Sequence, residues 1–205
     1  MKVLIINGSP HEKGTTARAL LEVEKELNQN GIETETICVG NKNVVGCKAC
    51  GACSKLGKCV VNDCVNEAIE KLKRADGVVI GSPVYYSSMN GTLKSFLDRV
   101  FFGKTCYAYK VGAAVAVARR AGTTETVDAI NKYFMINNMP VVSSQYWNMV
   151  FGSNGEQAET DYEGMQTMRI IGKNMAWLMK CIENAKQNGI NPPELETHQK
   201  TNFIR

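Results

Sequence analysis

No segment of the 205-residue chain is apolar for long enough to cross a bilayer. The N-terminal MKVLIINGSP has four strongly apolar residues in a row before it turns polar, too few for a signal-peptide core. The longest other apolar run, VGAAVAVA at 111–118, falls well short of the roughly 20 residues that a span requires. A cytoplasmic protein without membrane contact is the expectation. A basic tract is missing too: the formal charge of +4 comes from scattered Lys and Arg, so nucleic acid is not indicated. With no repeat, low-complexity tract or linker, and with 44% apolar residues, one ordinary globular core is expected, needing no disulfide support.

What is present is an alternation of short apolar runs and amphipathic stretches. Val3 to Ile6 reads as a buried strand ending in the loop Asn7-Gly8-Ser9-Pro10, and Thr34 to Val39 as a second strand. GVVIGSPVYY at 77–86 gives a third, with a Gly-Ser-Pro turn matching the first, VGAAVAVA a fourth, and MPVVSSQYW at 139–147 a fifth. Five helices fall between and after them. Their apolar faces run from Ala17 to Leu27, Val65 to Leu72, Leu93 to Phe101, Val127 to Phe134 and Met168 to Ile182. Such alternation implies a parallel α/β sheet, doubly wound with helices on both faces. Ligands then bind beyond the C-terminal ends of its strands. A polar tail, 188–205, should follow a domain spanning 1–187.

Three loops at that edge could carry chemistry. NGSPHEKGTTA at 7–17 sets glycines and hydroxyls before a helix N-terminus, as a phosphate site requires, although a plain capped turn has the same pattern. It has neither the Gly-Lys-Ser/Thr of a Walker loop nor a G-x-G-x-x-G. SPVYYSSMNG at 82–91 offers Tyr85 and Tyr86 either to a flat aromatic ligand or to packing. ARRAGTTET at 118–126 pairs two arginines with a glycine, and these either bind a nicotinamide nucleotide phosphate or the flavin, or stay solvated. No acid, base or nucleophile stands out as catalytic.

The eight cysteines are unevenly spread, with five of them between 47 and 64. In a reducing compartment clustered thiols bind metal or do redox chemistry more often than they form disulfides. Cys47, Cys50, Cys53 and Cys59 give C-x2-C-x2-C-x5-C, a compact triplet that suits three corners of a [4Fe-4S] cube, with a more distant fourth thiol to close it. Zinc, which more often takes two separated pairs, and an unfilled redox-active thiol set are the other readings. Cys64 is either a substitute ligand or a helix-start residue. Cys38, Cys106 and Cys181, on expected strand, loop and helix positions, read as buried, inert thiols.

Taken with NGSP...KGTT, GSPVYYSSMNGTLKSFLDR and the ending TNFIR, the chain resembles the NADPH-dependent FMN reductase family of flavodoxin-like proteins, in particular its iron-sulfur flavoprotein branch. The resemblance implies a flavodoxin-like five-stranded sheet with a cysteine-rich insertion at 45–64. It also implies FMN, with its phosphate on Ser9, Lys13, Thr15, Thr16 and Ala17 and its ring beside Pro83, Val84, Tyr85, Tyr86, Ser87 and Gly122. It implies as well a [4Fe-4S] cluster on Cys47, Cys50, Cys53 and Cys59, NAD(P)H or ferredoxin as electron donor, a small-molecule acceptor, and a homo-oligomer (dimer or tetramer) in which cluster and flavin of different subunits lie close. The third loop departs from the family, where paired glycines and a Gln often follow the arginine; here Arg119 is followed by Arg120, Ala121 and Gly122.

Overall fold

The computed structural model of the chain describes residues 1–103, 105–199 and 201–203. The last two residues of the TNFIR ending, and Lys200 of the tail, therefore lie outside the described residues. Strands β1 (Lys2–Asn7), β2 (Glu33–Cys38), β3 (Gly77–Tyr85), β5 (Val111–Ala118) and β6 (Met149–Phe151) pair in parallel in the order β2-β1-β3-β5-β6. A two-residue strand, β4 (Ser88–Met89), turns back antiparallel on β3.

Side chains alternate along each strand, so the sheet feeds two cores. Leu4, Ile6, Val78, Ile80, Ala114 and Ala116 face α3 (Cys64–Arg74), α4 (Gly91–Phe102) and α5 (Thr123–Ile136). Their neighbours Val3, Ile5, Val79, Ala113, Val115 and Val117 face α1 (Thr15–Gln29) and α7 (Tyr162–Gln187). Burial on both faces explains why these strands read as unbroken apolar runs. Glu22 of α1 ties the two helices of this second layer together, accepting from Arg18 at 2.8 Å and from Arg169 of α7 at 2.9 Å. Among the described residues, no helix is long and apolar enough to cross a membrane.

Two short helices, α2 (Cys53–Leu56) and α6 (Gly155–Thr160), add to the five expected. Two expectations about strands need correcting. MPVVSSQYW does not form the fifth strand. Val141 makes an isolated bridge to Gly112, after which the chain leaves the sheet with Tyr146 and Trp147 exposed. It returns only at β6, against Ala116–Ala118. The buried Asn148 holds this excursion: its carbonyl accepts from the Ala116 amide at 3.0 Å, and its side chain donates to the Val142 carbonyl at 3.3 Å. The second Gly-Ser-Pro is not a turn either. Gly81, Ser82 and Pro83 continue β3 in register with Val115, Ala116 and Val117, and the chain reverses at Tyr86 and Ser87. Pro83 fits there because the pairing with β1 has already ended at Gly81, leaving that edge of β3 free.

Candidate functional site

The direction of travel across the sheet reverses between β1 and β3. This switch point in strand order opens a crevice at the C-terminal edge. The loop leaving β1 is held on itself: the Asn7 side chain accepts from the Ser9 amide at 2.9 Å, Ser9 Oγ accepts from the His11 amide at 3.1 Å, and the Gly8 amide donates to the Gly81 carbonyl at 2.8 Å. Helix α1 then starts at Gly14 without a side-chain cap. Among the described residues no acceptor is bonded to the amides of Thr15, Thr16 or Ala17, so the positive end of a 15-residue helix stands open beside buried Ser9, Thr15 and Thr16. Gly40, in the loop after β2, presses against the back of this turn so closely that a Cβ there would lie 2.2 Å from the Ser9 carbonyl carbon.

A cleft of about 900 Å³ lies over that helix end. Ser9, Lys13, Thr15 and Thr16 line it from one side, and Pro83 and Val84 from the other. Ala17 lines the adjoining groove with Arg18 and Leu21. Tyr85, Tyr86 and Ser87 stand exposed at the hairpin tip, outside the cleft lining. Tyr86 has φ of 56°, a left-handed backbone that a bulky residue rarely adopts. Gly122, at φ 85°, packs directly on this second loop: a Cβ there would meet Val84 Cγ1 at 2.7 Å. The second and third loops thus touch, as the sequence pattern implied. Sequence reasoning missed a fourth wall made by Gly152, Ser153, Asn154 and Gly155 after β6. The Thr15 hydroxyl donates to the Gly152 carbonyl at 3.3 Å, tying that wall to α1. Misplacing the fifth strand hid this loop, although its Gly-Ser-Asn-Gly composition is a turn signal.

The cysteine segment fills the connection between β2 and α3. Cys47, Cys50, Cys53 and Cys59 all line a second, smaller cavity of about 140 Å³, with Val60, Val61, Arg99 and Phe102. Their backbone is turned by left-handed Ala49 and Gly51, at φ 52° and 70°. Cys59 is held most firmly: the Asn66 side chain accepts from its amide at 2.8 Å and donates to its carbonyl at 2.9 Å, and Arg99 Nη2 lies 3.3 Å from its sulfur. The thiols share a cavity without having converged; among the described residues no three His, Cys, Asp or Glu side chains stand ready to hold a metal ion. Two features suit an anionic sulfur-ligated group there. The donor set is four thiols, and the buried Arg99 on the cavity wall keeps an Nε–H with no acceptor among the described residues. Cys64 is not on this wall. It sits half-buried at the start of α3, packed against the core, and burial followed by the Asp63 charge pushes its thiol up. That geometry favours the helix-start reading over the substitute ligand. The remaining three thiols are not buried as expected: Cys38 is half-buried, and Cys106 and Cys181 are exposed.

Residues 1–154 match the family described as NADPH-dependent FMN reductase. The chain belongs to that family. Within it, the chain is 35% identical over 192 residues to an iron-sulfur flavoprotein of Methanocaldococcus jannaschii, covering 89% of this chain and 100% of the relative. It is 36% identical over 192 residues to an iron-sulfur flavoprotein of Methanosarcina thermophila, covering 89% and 97%. In fold this FMN reductase family member is similar to RosB, solved with 8-demethyl-8-formylriboflavin-5'-phosphate, at a TM-score of 0.72, 15% identity, and coverage of 100% of this chain and 94% of that one. It is also similar to an archaeal flavodoxin at a TM-score of 0.62, 15% identity, and coverage of 88% and 99%. The flavodoxin-like architecture expected from the sequence is the one observed.

Proposed function

We propose that the chain is an FMN-dependent oxidoreductase that exchanges electrons between FMN and a [4Fe-4S] cluster. NAD(P)H or ferredoxin acts as donor and a flavin, quinone or other small molecule as acceptor. The observation that carries the reading is the meeting of the loops after β1, β3 and β5 at the switch point, over an uncapped helix end. Ser9, Lys13, Thr15, Thr16 and Ala17 would hold the phosphate with open amides, hydroxyls and one cation. Pro83, Val84, Tyr85, Tyr86, Ser87 and Gly122 would hold the ring, with Val84 stiffened from behind by Gly122. Bound FMN supplies an exchange between two-electron hydride chemistry and one-electron transfer.

Cys47, Cys50, Cys53 and Cys59 would hold the cluster, which supplies one-electron capacity. The shared thiol cavity and an Arg99 Nε–H that has no acceptor among the described residues support this part, together with the relatives named iron-sulfur flavoproteins. A cluster-free FMN reductase is the second reading, favoured by thiols that have not converged. The deciding experiment is the visible spectrum of protein purified without oxygen, followed by addition of NADPH or of reduced ferredoxin. Flavin bands over a broad iron-sulfur shoulder support the first reading, and flavin bands alone the second. Bleaching by ferredoxin only would make the protein an electron carrier without nicotinamide activity. The cysteine segment lies at the surface, so we further propose a homo-oligomer in which one subunit's cluster approaches its partner's flavin; sedimentation as a monomer at micromolar concentration would overturn it.

A further inference from the structure

Arg99 is buried nine residues after the N-cap of α4, and its guanidinium is the meeting point of the cysteine segment. Nη1 donates to the Val45 carbonyl at 3.3 Å and to Asp63 Oδ2 at 2.5 Å; Nη2 donates to Asp63 Oδ1 at 2.9 Å, to the Val61 carbonyl at 3.4 Å and to Cys59 Sγ at 3.3 Å. Asp63 in turn caps α3 through the Val65 amide at 3.1 Å. A positive group thus bonds one of the cavity thiols, and a carboxylate bonded to the same guanidinium offsets the charge. Val45 and Val61, which flank the cysteine run, hang from the same guanidinium.

Resting on the cluster reading above, we propose that Arg99 and Asp63 form a counter-charge pair that positions Cys59 and sets the reduction potential of the cysteine site. Reduction adds one electron, delivered by reduced flavin or ferredoxin in the working protein and by dithionite in a measurement. The site then becomes more negative by one charge beside Cys59. Hydrogen bonds to cluster sulfurs and nearby charge are general determinants of such potentials. The guanidinium favours the added electron and Asp63 opposes it, so removing one or the other must act with opposite sign.

The experiment compares anaerobically purified full-length wild type, R99Q, R99K, D63N and the R99Q/D63N double variant. Iron and acid-labile sulfide are assayed after reconstitution, and the potential is read by dithionite reduction followed by electron paramagnetic resonance. R99Q should lower the potential by at least a tenfold change in the reduction equilibrium, about 59 mV for one electron. D63N, which keeps an Asn cap on α3, should raise it, while R99K and the double variant should lie nearer the wild type. A merely structural role would lose iron or shift both single variants the same way. No shift, or a downward one, in loaded D63N overturns the proposal even if R99Q fails to fold. Wild type that retains no iron and sulfide overturns the cluster reading itself, and this proposal with it.

Discussion

Gly40→Ala tests whether the turn after β1 is the part of the cleft that grips the flavin. A Cβ at this position would lie 2.2 Å from the Ser9 carbonyl carbon and 2.3 Å from the Gly8 oxygen. Ordinary contact begins near 3.4 Å, so one of the two backbones must retreat by about 1.2 Å. The turn cannot absorb that for nothing, since the Gly8 amide is bonded to Gly81 and the Ser9 amide to Asn7. Overpacking of this kind costs about 1–3 kcal/mol, and a displaced helix entrance loses the alignment of its amides with a phosphate. We expect FMN affinity, measured by quenching of flavin fluorescence on titration into apoprotein, to fall by about tenfold to a hundredfold. Gly31→Ala is the matched control. That residue has φ 77°, and a Cβ there would meet no non-neighbouring atom of the described residues within 4 Å, so alanine costs about 1–2 kcal/mol of backbone strain and leaves the cleft alone. Equal flavin affinity in the two variants at comparable melting temperatures would refute the reasoning.

Tyr86→Gly relieves a left-handed tyrosine at the hairpin tip. It should raise stability by up to about 1 kcal/mol while weakening FMN binding several-fold, and unchanged binding would remove Tyr86 from the site. Cys59→Ser should abolish most bound iron and sulfide after anaerobic reconstitution, whereas Cys64→Ser, off the cavity wall, should retain them; equal losses would restore Cys64 as a ligand. Burial raises the Glu22 carboxyl, but hydrogen bonds from Arg169 and Arg18 outweigh it and hold the group below its ordinary value of 4.5. Its contribution is therefore full above that value and is lost as pH falls through the lowered one. Glu22→Gln should cost about 1–2 kcal/mol at pH 7 and progressively less at pH 4 and below, read from urea midpoints; a constant gap would contradict the ion-pair account.

The sheet was legible because its central strands are buried on two faces, which leaves apolar runs with no competing interpretation. VGAAVAVA is buried at every position. Local signals misled where tertiary pairing overruled them. The same Gly-Ser-Pro triplet leaves the sheet after β1 and stays in it within β3, and the difference lies in β5, whose Val115 to Val117 continue to offer partners. The mixed run 139–147 was read as a strand for its apolar content, yet Tyr146 and Trp147 face solvent against each other, with ring centroids 5.0 Å apart. Arg99 left no trace in the sequence beyond an arginine in an amphipathic helix. Its partners lie 36 to 54 positions away, and a contact of that range has no local pattern.

Helix α4 links the two proposed sites. Its N-cap, Asn90, takes the Thr92 amide at 2.8 Å on one side and bonds through its own amide to Ser82 Oγ at 3.0 Å. Ser82 immediately precedes the cleft residues Pro83 and Val84. Nine residues on, Arg99 holds the cysteine segment. At a rise of 1.5 Å per residue, that is about 13.5 Å along one helix axis, and the helix is packed along Leu93, Phe96, Leu97 and Val100. A rigid element anchored at both ends keeps the separation of the two sites constant. Loops alone would let the thiol segment drift relative to the cleft. The helix thus converts ordinary core packing into a fixed spacing between the two proposed sites. The cation that bonds the Cys59 sulfur thus comes from the helix following β4 rather than from the cysteine segment itself.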